Sequence, residues 1–341
     1  MKPFMGFVCA VMLFVVYKTT NLQYQQAELE AKLHPLYASQ EVDEAWRNLV
    51  RLPRGIIHAT SDLDLKPLWS TSRSKANVSS PRYLLAIPAG IKQKNNVDNM
   101  VQKFLPVNFT IVLFHYDGKV DEWLKFRWSN LAIHIVAQNQ TKWLRIALWF
   151  AKRFLHPSIV SAYDYIFLWD EDLGVENFDP RSYLDIVKSE GFEISQPALD
   201  PNSTDIHHRI TVRSKRNQFH RRIYEKRGSA RCSNETEGPP CSGFVEGMAP
   251  VFSRSAWHCT WHLIQNDLVH GWGVDMKLGY CAQVRLWFYA SLAYENDFGD
   301  RTQNIGVVDS EYLVHQGIQT LGGASRKKGR RKSEVLNPVL I

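Results

Sequence analysis

The sequence contains no Cys-x-x-Cys pair, which disfavours a zinc ribbon. It has no Gly-x-Gly-x-x-Gly after an apolar run, so the dinucleotide fingerprint is missing; Pro88-Ala89-Gly90 is the nearest glycine-bearing turn. The apolar N-terminal run, residues 4–17, is short. Its 14 uncharged residues would make a helix of roughly 21 Å, against a hydrocarbon core of about 30 Å. No small-x-small cleavage site is obvious behind it, where Tyr17, Lys18, Thr19 and Thr20 follow. Acid is scarce in two places. Glu225 alone faces nine Lys and Arg within residues 207–231, and residues 326–332 hold six basic side chains with no acid.

What is present is a chain of 341 residues, 45% hydrophobic and 12% aromatic, enough to bury a core and neither fibrous nor wholly disordered. Its formal charge of +7 ordinarily points to nucleic acid or a membrane surface. With the +8 and +6 of the two basic stretches set aside, the rest of the chain carries −7. The protein is thus a mildly acidic body with two separable basic patches. The first patch could face a diphosphate or an acidic glycan, or be a solvated loop. The second resembles a nuclear signal, but behind a signal-anchor it would never meet the import machinery.

The leader fits an uncleaved signal-anchor, stretched by interfacial residues, better than a cleaved secretory signal. Asn77, Asn108, Asn139, Asn202 and Asn234 each begin an N-glycosylation sequon. Cys9 lies in the leader, leaving Cys232, Cys241, Cys259 and Cys281 as an even set suited to an oxidising lumen. Cys232–Cys241 is the favoured short loop, with the other two connectivities open. The expectation is a single-pass type II protein of the Golgi membrane with a luminal body, or a secreted one if the leader is cut. Nucleic acid is not an expected partner.

Residues 1–18 form the cytoplasmic stub and anchor, and 19–80 a polar stem. Residues 81–324 form the luminal domain, and 325–341 a basic disordered tail. Within the domain, strands are expected at 83–88, 109–116, 131–137 and 163–169, with helices at 95–105 and 142–155. This alternation predicts an α/β fold, a mostly parallel sheet flanked by helices, with ligands at the carboxyl ends of its strands. Trp143, Trp149, Trp257 and Trp261 fit helical core spacing. His258 and His262, four apart on one helix, read as structural rather than as a metal pair.

Three features carry chemistry. An apolar strand runs straight into Asp170-Glu171-Asp172, where Asp170 and Asp172 could point together as hard ligands for Mn²⁺ or Mg²⁺; alone, such a turn is as often a solvated cap. Gly271-Trp272-Gly273-Val274-Asp275 combines close backbone approach, a flat face for a sugar ring and an acid able to take a hydroxyl proton; its bland alternative is a helix start. Residues 307–314 lead to His315, which becomes a plausible third ligand beside a carboxylate site. Glu246, before an apolar run to Phe252, could meet an acceptor hydroxyl; Asp309 and Glu311 are weaker candidates.

The set WDEDL, GWGVD and VVDSEYLVHQG resembles the GT-A glycosyltransferase arrangement. That resemblance implies that Asp170, Asp172 and His315 hold Mn²⁺ on a nucleotide-sugar and that Asp275 serves the acceptor. A closer resemblance spans about residues 40–324. RYLLAIPAGIKQKNNVDNMV, FLWDEDLGVENFDP, GFVEGMAPVFSRSAWHCTWHLIQNDLVHGWGVDMKLGYCAQ and NIGVVDSEYLVHQGI are similar to a plant family of unknown function. That family is often labelled lysine-ketoglutarate reductase trans-splicing related. Neither activity in the label fits a luminal chain without a dinucleotide turn or a nucleic-acid module.

The expected function is a metal-dependent glycosyltransferase of the secretory pathway. It would move a sugar from a nucleotide-sugar to a glycan or other hydroxyl acceptor, with Asp275 as catalytic base if the reaction inverts; a retaining route stays open. Pro88, Ala89, Gly90, Glu246, Trp272 and Gly273 are the expected substrate-binding residues. The alternative is a non-catalytic luminal binding or scaffold protein on a degenerate GT-A frame. One departure from the family pattern favours the alternative for this form: residues 284–298 are an aromatic insertion that separates Asp275 from His315. A retained intron, a gene-model error or a genuine splice form would each produce it. Transcript reads across Gln283 and Gly299 distinguish these, since uniform coverage would show the segment to be real.

Overall fold

The computed structural model describes residues 55–58, 83–136, 146–225, 232–265, 273–283 and 300–317, with Met12, Tyr17, Lys18 and Asn21 in helical conformation. The chain divides into two compact units, residues 1–51 with 69–80, and residues 52–68 with 81–341; the second carries every named strand. The expectations for most of the leader, most of the stem, Trp143, Trp272, the insertion and the basic tail lie outside the described residues. Residues 55–58, expected in the stem, instead form a strand grouped with residues 81–341. Among the described residues, no helix is long and apolar enough to cross a membrane.

Strands β1 (Gly55–His58), β4 (Ile133–Val136), β3 (Phe109–His115), β2 (Tyr83–Pro88) and β5 (Tyr165–Leu168) pair in that spatial order, all parallel. β2 reads YLLAIP because both its faces are covered; every residue after Tyr83 is buried. Beyond β5 the sheet changes character. β9 (Val251–Ser253) runs antiparallel to both β5 and β7 (Ile194–Leu199). β10 (Ile305–His315) runs parallel to β7, and β6 (Leu173–Gly174) and β8 (Phe219–His220) pair antiparallel with β10. Five pairings are parallel and four antiparallel, so the sheet is mixed rather than mostly parallel. The cause is β9, which returns beside β5 from the opposite end after a long irregular stretch.

Helices cover both faces. α1 (Lys94–Phe104) buries Val97, Met100, Val101 and Phe104, one helical stripe, against the face that carries Leu85, Ile111 and Phe167. α3 (Pro180–Ser189) joins it with Tyr183, Leu184 and Val187; Asp179 caps it by accepting from the Arg181 and Ser182 amides. Neither α3 nor β7 is among the elements expected from the sequence. On the other face, α2 (Ile146–Phe154) and α4 (Arg254–Leu263) pack Phe150, Phe154 and Trp257 against Ala86 and Phe114. Phe114 stacks on Phe150 with ring centroids 4.8 Å apart. Trp257 is thus core, and Trp149 and Trp261 pack partly buried against it.

The most consequential packing lies behind the carboxylate turn. Trp169, fully buried, meets Phe104 edge-on at 5.2 Å and Phe178 at 5.0 Å. Losing a buried indole of this kind costs about 3–5 kcal/mol, so the residue before Asp170 is held rigidly.

Disulfides Cys232–Cys241 and Cys259–Cys281 are both present. The second ties α4 to the turn that follows α5 (Val274–Leu278). The chain on either side of residues 284–298 is also tied together. Asn304, at the end of α6 (Arg301–Asn304), donates through Nδ2 to the Ala282 carbonyl at 2.9 Å. Arg301 fills space left by Gly238, Gly243 and Gly279; a Cβ on Gly238 would lie 2.1 Å from its Nη2. Loop closure depends only weakly on loop length. Excision of residues 284–298 should therefore leave the melting temperature within ~5 °C, measured by circular dichroism. A fall well beyond that would show the segment to be part of the core.

Candidate active site

The end of β5 and the start of β10's partner strand fix the first half of the site. Asp170 donates its amide to the Met248 carbonyl at 2.8 Å, just past the strand end. In the β6–β10 pairing His315 lies opposite Leu173, so the register alone brings His315 beside Asp172. The His315 Nε2 stands 3.5 Å from Asp172 Oδ2, and the Gln316 amide donates to the Asp172 carbonyl at 3.2 Å. His315 Nδ1 donates to the Asp205 carbonyl at 2.8 Å, which fixes the ring and turns Nε2 toward the carboxylate. Burial alone would lower the His315 pKa, but its bond and charge attraction to Asp172 overcome this and raise it to about 9. Asp170 is pushed well above the ordinary carboxylate range, first by burial and then by repulsion from Asp172. His315 thus lies against Asp172, and Asp170 is near enough to feel the charge of both.

Glu171, between the two aspartates, has a different task. Its Oε2 accepts the Gly90 amide at 2.6 Å and its Oε1 accepts the Tyr116 hydroxyl at 2.5 Å. Burial raises its pKa to about 7 against these two bonds. Asn96 on α1 donates to the Glu171 and Leu173 carbonyls, and the Ile91 amide donates to Asp117. Pro88, Ala89 and Gly90 therefore do lie at the carboxylate turn, welded to it through Glu171. The Gly90 amide, the one that a ligand would approach, is already occupied.

The opposite wall comes from the segment before β9. Glu246 is 5% exposed; its amide donates to the buried Gln196 Oε1 at 2.5 Å, and its Oε2 lies 3.1 Å from the Thr211 hydroxyl. Burial raises its pKa to about 7, with Thr211 pulling the other way. Gly273 takes the left-handed conformation (φ 85°) that starts α5, and Asp275 in its first turn accepts the Met276 amide at 2.9 Å. Asp275 interacts electrostatically with Glu246 and with His208, so these two acids share the site with His315.

Other expected residues lie elsewhere. Asp309 accepts from His220 Nδ1 at 2.8 Å and from the Ser214 amide, while Glu311 accepts the Asp179 amide; these bonds engage both carboxylates away from His315. In the described part of the basic stretch three arginines are engaged by the protein itself, while Lys215 and Arg216 are exposed. Arg213 stacks over Tyr312, Arg221 pairs with Glu190, and Arg222 donates to the Ser233 and Asn234 carbonyls. Tyr116, Gln196, Asp205 and Thr211 are site residues that sequence patterns did not reveal; His208, which at the head of the basic stretch could approach a diphosphate or be plain loop, interacts with Asp275. Among the described residues, no group of three or more His, Cys, Asp or Glu side chains stands ready-made as a metal shell.

A Cβ on Gly90 would lie 2.0 Å from the Tyr116 hydroxyl. Gly90→Ala should therefore displace Tyr116 from Glu171 and cost about 1–3 kcal/mol in chemical denaturation. Tyr116→Phe in the same background should relieve only the hydroxyl's share of the clash, because the ring carbon Cζ would still lie 2.4 Å from that Cβ.

Residues 44–339 match the profile of a family described as "Protein of unknown function (DUF707)". No curated protein matches the chain. Among solved structures it is similar to S. aureus TarS 1-349, at TM-score 0.39 and 8% identity over 69% of this chain and 60% of that one. TarS 1-349 in complex with UDP gives a TM-score of 0.36 and 10% identity over 68% and 59%. The chain thus spans about 60% of the structure it resembles, a likeness too faint to speak for activity. The family match covers most of the sequence, and on that ground the chain belongs to the DUF707 family.

Proposed function

We propose that the protein transfers a sugar from a nucleotide-sugar to a hydroxyl acceptor at the carboxyl edge of its sheet. The observation that carries this is the β6–β10 register, which places His315 against Asp172 beside the crowded, buried Asp170. Two hard carboxylates and an imidazole with its Nδ1 proton fixed suit Mn²⁺ or Mg²⁺ in chemistry. Asp170, Asp172 and His315 would hold such an ion, which when bound neutralises the departing diphosphate.

The chain's own residues do the rest. Glu171 holds the Ala89-Gly90 turn in place, so the floor of the donor site does not move as ligand arrives. Glu246 and Asp275 face the acceptor side, where a hydroxyl must lose its proton as the new bond forms. Two disulfides and the exposed Asn108, Asn202 and Asn234 support a luminal setting in the secretory pathway, with Golgi membrane as the proposed location.

Titration calorimetry of UDP with and without Mn²⁺ tests the proposal. The expected result is metal-dependent binding that weakens at least ~100-fold in Asp172→Ala, with turnover of one member of a UDP- and GDP-sugar panel lost in parallel. No nucleotide binding by the unmodified protein would overturn it.

A further inference from the structure

We propose that Glu246, rather than Asp275, takes the proton from the acceptor hydroxyl, with Thr211 as its positioning residue. This rests on the transfer reaction proposed above. Glu246 is held from two sides: its amide is tied to Gln196, which is fully buried on β7, and its carboxylate meets Thr211.

The Thr211 hydroxyl has one proton and two acceptors in reach. The His208 carbonyl lies 2.8 Å away and Glu246 Oε2 3.1 Å away. When Glu246 is neutral, the hydroxyl donates to the carbonyl and can accept from the acid. When Glu246 is ionised, the hydroxyl turns to donate to it. Proton exchange at Glu246 thus leaves the buried hydroxyl satisfied in both states. Asp275 lacks such an arrangement: one oxygen accepts the amide of the next residue, and the side chain stands half-buried at the start of a short helix.

The charged groups that act on Glu246 include His315 from β10, Asp275 from α5, Asp205 from the loop after β7 and Asp170 from the turn after β5. Burial dominates them and places the group near neutrality, where a base and its conjugate acid are both accessible. In the step itself the acceptor O–H bond breaks and its proton goes to Glu246 Oε1, the oxygen that the Thr211 contact does not use. The acceptor oxygen's electron pair forms the bond to the anomeric carbon. The pair of the anomeric C–O bond leaves on the terminal phosphate of the nucleoside diphosphate.

The test compares the full chain with Glu246→Gln, Asp275→Asn, Thr211→Val and Thr211→Ser. Infrared difference titration reads the carboxyl directly and needs no sugar. Carboxylic acid intensity should fall as pH rises through about 7, where Glu171 and Glu246 both lose their protons. The Glu246 share, isolated as the difference between the unmodified protein and Glu246→Gln, should move to higher pH in Thr211→Val and return in Thr211→Ser. Transfer is then measured with Mn²⁺ and the active nucleotide-sugar. Glu246→Gln should lower kcat by at least ~100-fold while donor KM and UDP affinity stay within ~2-fold. The rising limb of the pH–rate profile should move with Thr211→Val and return with Thr211→Ser. No titrating band assignable to Glu246, or full kcat in Glu246→Gln beside a dead Asp275→Asn, would overturn the assignment alone. A titrating Glu246 in a protein that binds no UDP would overturn the transfer reading and the base role with it.

Discussion

Like charges brought together out of water repel strongly, and five carboxylates converge on one edge of this sheet. Asp170 feels Asp172, Glu171 and Glu246, and Glu246 feels Asp275. Each is relieved differently. Glu171 receives an amide and a phenol, Asp172 an imidazolium, and Glu246 a hydroxyl. Asp170 is buried beside three negative neighbours, with the charge of His315 pulling the other way. An arrangement that is unfavourable to fold and unneeded for packing makes sense where a cation or a proton is to be accommodated.

The carboxylates can be held so close because what lies behind them does not give. Trp169 sits among Phe104 and Phe178, and Asn96 clamps the backbone of the turn from α1. Across the site, Cys259–Cys281 fastens the segment after Asp275 to α4. Rigid packing, a clamped turn and a covalent tie keep the repelling groups from relaxing apart.

Much of this was legible in the residues. Apolar runs marked β2, β3 and β5, and a 3.6-residue stripe marked α1, because those segments are buried by a single repeating rule. β7 escaped because Pro197 and the polar Ser195-Gln196 interrupt it, yet all three are buried and Gln196 serves Glu246. For α3, the Asp179-Pro180 start was a usable signal. Asp170, Asp172 and His315 were visible as polar residues that end apolar runs. Glu171 stood between them without an assigned role, since side-chain direction at a turn is not written in composition. Thr211 ends a single 3₁₀ turn with no longer period, where only the fold reveals what it meets. The +7 resolved in the sequence into two basic patches on an acidic body; what the residues could not show is that Arg213, Arg221 and Arg222 of the first patch meet an aromatic ring, a carboxylate and two carbonyls.

Arg301 lodges against Gly238, Gly243 and Gly279. These glycines are far apart in sequence, but each leaves room for a different part of the same side chain. A Cβ at Gly238 would press on the guanidinium of Arg301 and one at Gly243 on its stem, and both glycines also hold a positive φ that a larger residue strains. At Gly279 the nearest obstacle is instead the Gly243 carbonyl, 2.7 Å from the added Cβ, with Arg301 behind it at 3.3 Å. The three substitutions therefore share one cost, the displacement of Arg301, and only that share should combine less than additively.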